Sequence, residues 1–215
     1  RASQVTDQAF DHILKKIHEG VTEIELSHQL LDFFKTKGMT DAFNPVIAFG
    51  PHSSLPHHIS GSTKLKKNQI VLMDFGAKWK GYCSDFTRTV FFGKADEKFR
   101  KMYKAVLRGQ TKAFDLLIEN KNPKRLSVDK IARDYIISQG FPSIPHSLGH
   151  GIGIEVHEGE RLAPSINTKI EDNTVFSIEP GIYIPGFGGV RIEDLVLYQN
   201  GPKFITYSNR DLIEL

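Results

Sequence analysis

Two stretches of this 215-residue chain echo each other at a fixed spacing, and that echo limits what the chain can fold into. Thr63-Lys64-Leu65, Asn68, Asp74 and Gly76 line up with Thr168-Lys169-Ile170, Asn173, Glu179 and Gly181, and 168 minus 63 and 179 minus 74 both give 105. Between the matched positions lie two apolar runs, Ile70–Met73 and Val175–Ile178, of the length and character of buried strands. A second carboxylate follows each run, Asp85 in the first copy and Glu193 in the second. Two copies of a helix-plus-strand unit, each giving a strand-borne carboxylate pair, predict a pseudo-twofold cleft with four carboxylates facing its axis.

The rest of the chain reads as α+β. Helical spacing predicts a first helix over 4–17. Thr22 and Glu25 form a capping box for a second helix running to about Lys37 and closed by Gly38. Asp96 caps a long third helix that ends at Asn122-Pro123, and Ser127 starts a fourth that Gly140 stops. Strands are predicted over 46–49, 70–75, 87–92, 152–156, 174–178, 181–184 and 190–198, with a last run near Phe204. No low-complexity linker divides residues 1–215, which predicts one domain. The start at Arg1, inside a helix with no N-cap, reads as a domain cut from something longer.

Composition excludes several classes. A 40% hydrophobic and 25% charged chain is that of an ordinary soluble globular protein. No apolar run nears ~20 residues, so neither a membrane span nor a signal peptide is expected. Net charge is only +3, and the basic cluster Lys64–Lys67 reads as a solvated approach to a strand, not as a nucleic-acid surface. A single cysteine, Cys83, leaves no internal disulfide and predicts a reducing, cytoplasmic setting.

Five metal-ligand types stand in the order Asp74, Asp85, His150, Glu179, Glu193, within the phrases M-D-F-G-A, S-D-F-T-R-T, S-L-G-H-G-I-G, S-I-E-P-G and R-I-E-D. Four carboxylates and one imidazole suit two divalent ions sharing carboxylates better than a lone structural zinc, which favours cysteine. Thr87, two residues after Asp85, points to the same strand face and can donate to a metal-bound oxygen. Six of the nine histidines cluster beside these phrases: His52, His57, His58 and His146, His150, His157.

Those phrases, in order and over essentially the whole chain, resemble the catalytic domain of the pita-bread metallopeptidases: methionine aminopeptidase, aminopeptidase P and prolidase. The resemblance implies a pseudo-twofold α+β fold, with a curved antiparallel sheet covered by helices on one side and a metal cleft on the other. It implies that Asp74 and Asp85 bind one ion, that His150 and Glu179 complete a second site, and that Glu193 bridges both. The cofactor it implies is two divalent ions, Mn²⁺ foremost, with Co²⁺ or Zn²⁺ as alternatives. Glu179 becomes the proton shuttle, His57 and His146 pocket residues, His157 a donor to the tetrahedral intermediate and Arg191 an orienting residue. His52 and His58 receive no role.

The phrases around Pro56-His57-His58, Asp85 and His157-Glu158-Gly159-Glu160-Arg161 look like the Xaa-Pro branch. The resemblance therefore implies hydrolysis, through a metal-bridging hydroxide, of the Xaa-Pro bond in dipeptides or at peptide N-termini. A methionine-type or broad aminopeptidase is the alternative; five intact ligands argue against a non-catalytic peptide-binding relative. Arg161 pairs either with a substrate carboxylate or with its own loop. The expected partners are small peptides with proline second, and the longer form is expected to be a homodimer, with neither nucleic acid nor membrane involved.

Overall fold

The computed structural model describes residues 1–121, 123–159 and 161–215. Asn122, expected to end the third helix, and Glu160, in the His157 phrase, lie outside the described residues. The first half runs α1 (Ala2–Leu14), α2 (Glu23–Thr36), β1 (Thr40–Asp41), β2 (Val46–Phe49), a 3-10 turn (Gly50–Ser54), β3 (Gln69–Asp74), β4 (Ala77–Trp79), β5 (Tyr82–Cys83) and β6 (Thr87–Phe92). The second runs α3 (Glu97–Glu119), α4 (Arg125–Ser138), β7 (Gly149–His150), β8 (Arg161–Leu162), β9 (Thr174–Ile178), β10 (Gly181–Ile184), β11 (Gly188–Arg191), β12 (Asp194–Tyr198) and β13 (Pro202–Phe204).

Each half packs a helix pair on antiparallel strands. In the first, α1 and α2 bury Val5, Phe10, Leu26 and Leu30 with Ile47, Val71, Met73 and Phe75 of the β2–β3–β6 sheet region. In the second, α3 and α4 bury Phe99, Met102, Val106 and Ile136 with Phe176, Ile178, Ile192 and Val196 around the β9–β12–β13 sheet. Burying each such side chain stabilises the fold by about 1.5–3 kcal/mol.

The repeat is written in backbone hydrogen bonds. Glu23 N donates to Thr63 O and Ile24 N to Gly61 O, while Arg125 N donates to Thr168 O and Leu126 N to Ile166 O. The acceptors keep the offset of 105, whereas the donors are offset by 125 minus 23, or 102. Asn68 and Asn173, matched in the sequence, both adopt left-handed backbone, with φ of 58° and 61°. Asparagine tolerates that region better than most residues, and each turns the chain into the strand that follows, β3 or β9.

Several boundaries differ from expectation. Helix α1 begins at Ala2 and ends at Leu14. Helix α4 starts at Arg125, not Ser127, because loop carbonyls of Ile166 and Thr168 take its first amides and no side-chain cap is needed. Residues 152–156 are not a strand. Gly153 N donates to Glu155 O, Glu155 N to Glu158 Oε2 and Glu158 N to Gly151 O, folding the segment back on itself. The run 190–198 breaks into β11 and β12, since Ile192 and Glu193 leave the β11 pairing and Glu193 bridges to Thr87. The short strands β1, β4, β5, β7 and β8 have no counterpart among the predicted strands. Lys80 and Gly81, with φ of 49° and 88°, make the two-residue turn between β4 and β5.

Candidate dinuclear metal centre

All five candidate ligand residues arrive at one place from strand ends. Asp74 closes β3, and Asp85 follows β5 with its Oδ1 accepting from Phe86 N at 2.9 Å. His150 ends β7; Glu179 follows β9, its amide donating to Leu148 O at 2.7 Å. Glu193 sits between β11 and β12, its amide donating to Thr87 O at 3.0 Å, which joins the two halves. Two glycines permit the convergence. A Cβ at Gly76 would fall 1.8 Å from Ser84 O, and one at Gly149 would fall 1.8 Å from Ser177 O. The first contact brings Asp74 beside Asp85, the second His150 beside Glu179.

His150 Nε2 lies 3.2 Å from Glu179 Oε1 and 3.5 Å from Asp85 Oδ2. Ligand atoms of Asp74, Asp85 and Glu193 all lie within 4.8 Å of one another, as do those of His150, Glu179 and Glu193. Glu193 thus belongs to both groups. Asp74 Oδ1 and Glu193 Oε1 are buried with no hydrogen-bond partner. An orphaned buried carboxylate oxygen costs several kcal/mol unless a cation faces it. These two oxygens, one unique to a group and one shared by both, fit a two-ion centre.

Electrostatics says the same. Burial, opposed by Arg191 and reinforced by Asp85 and Glu179, pushes the Asp74 carboxyl up to about 7. Burial also raises Asp85 despite His150, and burial together with Asp85, Glu179 and Asp74 raises Glu193 well above the carboxylate range. Glu179 differs: burial acts to raise it, but the hydrogen bond and charge of His150, with His146 and Arg191, together hold it low. Burial would lower His150, yet Asp85 and Glu179 lift its imidazole to about 11. Four carboxylates crowded this way repel one another, and divalent ions among them invert that balance.

A polar shell fixes the ligands. Thr87 Oγ1 donates to Glu193 Oε2 at 2.6 Å. Arg191 reaches Asp74 Oδ2 at 2.5 Å through Nη2, Thr87 Oγ1 at 3.1 Å through Nε and Tyr183 Oη at 2.8 Å through Nη1. Ser177 Oγ donates to Glu179 Oε1 at 3.1 Å and accepts from His150 N at 3.0 Å. Beneath them, fully buried Arg88 donates to Glu193 O at 2.6 Å and to Asp194 Oδ1 at 2.7 Å.

A cavity of about 770 Å³ opens over the centre. The five candidate ligands and four candidate pocket residues line it: Asp74, Asp85, His150, Glu179, Glu193, His57, His146, His157 and Arg191. His157 sits edge-on to His150 at 4.1 Å between ring centroids, delivered there by the fold-back of residues 151–158. His146 Nε2 lies 3.0 Å from Tyr183 Oη. Burial lowers both His146 and His157, the latter helped by His150, so both rings favour the neutral form. Arg161 also lines the cavity, whereas His52 and His58 lie elsewhere. Sequence reasoning missed Tyr183, Ser177 and Asp194. Ser177 and Asp194 stand within two residues of Glu179 and Glu193, whereas Tyr183, four residues after Glu179, has no such signal.

Comparison with known proteins agrees with this geometry. The model for metallopeptidase family M24 matches residues 1–200. An Xaa-Pro dipeptidase from Pyrococcus furiosus is 38% identical over 216 residues, covering 99% of this chain and 62% of that protein. The structure of an Xaa-Pro dipeptidase from Bacillus anthracis superposes with a TM-score of 0.95 at 40% identity, covering 100% of this chain and 61% of that one. An X-Pro aminopeptidase structure from Thermotoga maritima gives a TM-score of 0.95 at 32% identity, again with 100% and 61% coverage. The fold is therefore the pita-bread fold, as the repeat and the helix-on-sheet halves lead one to expect. The chain belongs to metallopeptidase family M24, and it spans about three-fifths of the length of these relatives.

Proposed function

We propose that residues 1–215 form one catalytic domain of an Xaa-Pro metallopeptidase that uses two divalent ions. The observation that carries this reading is the pair of orphaned, buried carboxylate oxygens, Asp74 Oδ1 and Glu193 Oε1, within a five-ligand cleft. Asp74 and Asp85 would hold one ion, His150 and Glu179 the other, and Glu193 both, with Asp85 reaching across. When bound, two such ions supply a water nucleophile at neutral pH and polarise the scissile carbonyl. The oxygen-rich set favours Mn²⁺ or Co²⁺, with Zn²⁺ able to occupy the same residues.

The chain's own groups do the rest. Glu179, held low by His150 yet 3.1 Å from the Ser177 hydroxyl, takes a proton on a carboxylate oxygen and passes it to the leaving amine. His157, neutral and standing over His150, donates from its ring to the oxygen that gains charge. Arg191 keeps Asp74 oriented and Thr87 keeps Glu193 oriented. His57 and His146 shape the pocket with Pro56, Val46 and Phe43, an apolar wall that accepts a proline ring lacking an N–H. Arg161, on the cavity wall, is placed to pair with a free substrate carboxylate, as a dipeptide would require.

Relatives named dipeptidase and aminopeptidase both superpose at 0.95, which supports small Xaa-Pro peptides as the substrate class, with the subclass turning on peptide length. A reducing cytoplasm suits the single Cys83, and a homodimer of the longer form belongs to the same proposal. Among the described residues no helix is long and apolar enough to cross a membrane. The test is to strip the protein with chelator, restore Mn²⁺, and time an Xaa-Pro dipeptide, an Xaa-Pro-Xaa tripeptide and a Met-Ala peptide together. Metal-dependent cleavage of the proline substrates supports the reading. Preference for Met-Ala, or cleavage without metal, contradicts it.

A further inference from the structure

Among the described residues, one group of metal-binding side chains lies outside the cleft. Glu23, His52 and His58 bring a carboxylate oxygen and two ring nitrogens within 4.8 Å of one another. They come from three places: the first residue of α2, the 3-10 turn after β2, and the loop beyond it. Glu23 Oε1 lies 2.9 Å from His52 Nδ1, and Oε2 lies 2.9 Å from His58 Nε2. The carboxylate is anchored from behind, since Phe49 N donates to Oε1 at 2.9 Å and Gly61 N to Oε2 at 3.1 Å. Its side chain is 0% exposed, His58 is 11% exposed and His52 is 40% exposed, so the group is rooted in the fold and open at one edge.

We propose that Glu23, His52 and His58 form a third cation site, separate from the cleft, which takes one zinc-class transition ion. Two imidazoles and one carboxylate are a borderline ligand set that suits zinc better than magnesium, calcium or manganese. Donor atoms around a tetrahedral ion at ~2.0–2.1 Å stand ~3.3 Å apart. One Glu23 oxygen and one ring nitrogen from each histidine already lie within 4.8 Å of one another, near that spacing. Binding replaces two imidazole–carboxylate hydrogen bonds, while the Phe49 and Gly61 amides keep their acceptors, because each oxygen has a second lone pair. Burial acts to raise the Glu23 carboxyl, but His58, the Phe49 amide, His52 and the Gly61 amide together hold it below its ordinary range. The carboxylate is thus already ionised, as a ligand must be.

Such an ion is a clip. It ties α2 to the segment between β2 and β3 that carries Pro56 and His57 to the cavity wall. The same segment is held on its other side by Ser53 Oγ, which accepts from Gly189 N at 2.8 Å. The site does not depend on the activity assigned to the cleft.

The experiment is equilibrium dialysis of the whole chain against buffered Zn²⁺, with bound metal counted and folding checked by circular dichroism. Wild type is expected to hold one equivalent more than His52→Asn/His58→Asn, and to gain more thermal stability from added Zn²⁺. His52→Asn alone, at the exposed edge, should weaken that equivalent by about tenfold or more, the scale of losing support around a bound metal. A cleft variant, Asp85→Asn/His150→Ala, should keep one zinc equivalent, which separates this site from the catalytic one. Equal zinc counts in wild type and the double variant, or no zinc retained by the cleft variant, would overturn the proposal.

Discussion

Thr87 and Glu193, 106 residues apart, are joined twice: Glu193 N donates to Thr87 O at 3.0 Å, and Thr87 Oγ1 donates to Glu193 Oε2 at 2.6 Å. These two hydrogen bonds between the halves fix the carboxylate shared by the Asp74–Asp85 and His150–Glu179 groups, leaving its Oε1 free for cations.

Replacing Thr87 with Val keeps the strand and its shape while removing the hydroxyl donor. Mn²⁺ affinity should fall about 10- to 100-fold, the usual cost of deleting such a partner, with the circular dichroism spectrum unchanged. Dialysis against Mn²⁺ measures this, and an unaltered affinity would remove Thr87 from the account.

Glu179→Gln removes the proton carrier but keeps the shape. With bound metal counted and saturating, turnover of an Xaa-Pro dipeptide should drop well over tenfold, within the range for losing general acid–base help. Retention of more than a tenth of the rate would mean that Glu179 does not shuttle the proton.

His157→Ala should lower kcat more than it raises KM, because the proposed bond strengthens as charge develops on the substrate oxygen. A change confined to KM would make His157 a binding residue only.

The repeat, the capping box of α2 and all five ligand phrases were legible because each rests on local chemistry: an asparagine turn, a reciprocal cap, a carboxylate ending an apolar strand. What was not legible came from long-range contacts. The apolar residues of 152–156 suggested a strand, but turn bonds among Gly151, Gly153, Glu155 and Glu158 fold them into the loop that carries His157. The second offset of 102 between the helices has no local signal, because α4 is capped by distant carbonyls rather than by its own side chain. Tyr183 and Ser177 look like ordinary strand residues until the fold sets them against Arg191 and Glu179.

Gly149→Ala tests the close approach that brings His150 to Glu179. Its Cβ would lie 1.8 Å from Ser177 O, a backbone atom that cannot step aside alone. Overpacking of this kind costs about 1–3 kcal/mol, so the melting temperature should fall and Mn²⁺ affinity with it. Wild-type values for both would show that β7 has room.

The pH dependence of the chelated protein has a definite sign. Asp74 rises from 3.8 to about 7 in the fold, and His150 from 6.5 to about 11. For a raised group, the stability it confers is complete below the unfolded value and lost as pH climbs through the folded one. Glu179, which is lowered, acts only on acidification. Thermal melts of chelated protein should therefore fall steadily between about pH 6 and 9, and saturating Mn²⁺ should flatten that slope because bound cations need the deprotonated ligands. A rising or flat profile without metal would contradict the crowded-carboxylate picture.

The most direct measurement is anomalous scattering from crystals soaked in Mn²⁺. The account predicts two peaks ~3.5–4 Å apart, one against Asp74 and Asp85, the other against His150 and Glu179, with Glu193 touching both. A single peak in the cleft, or none, would contradict the two-ion centre on which the proposed chemistry stands.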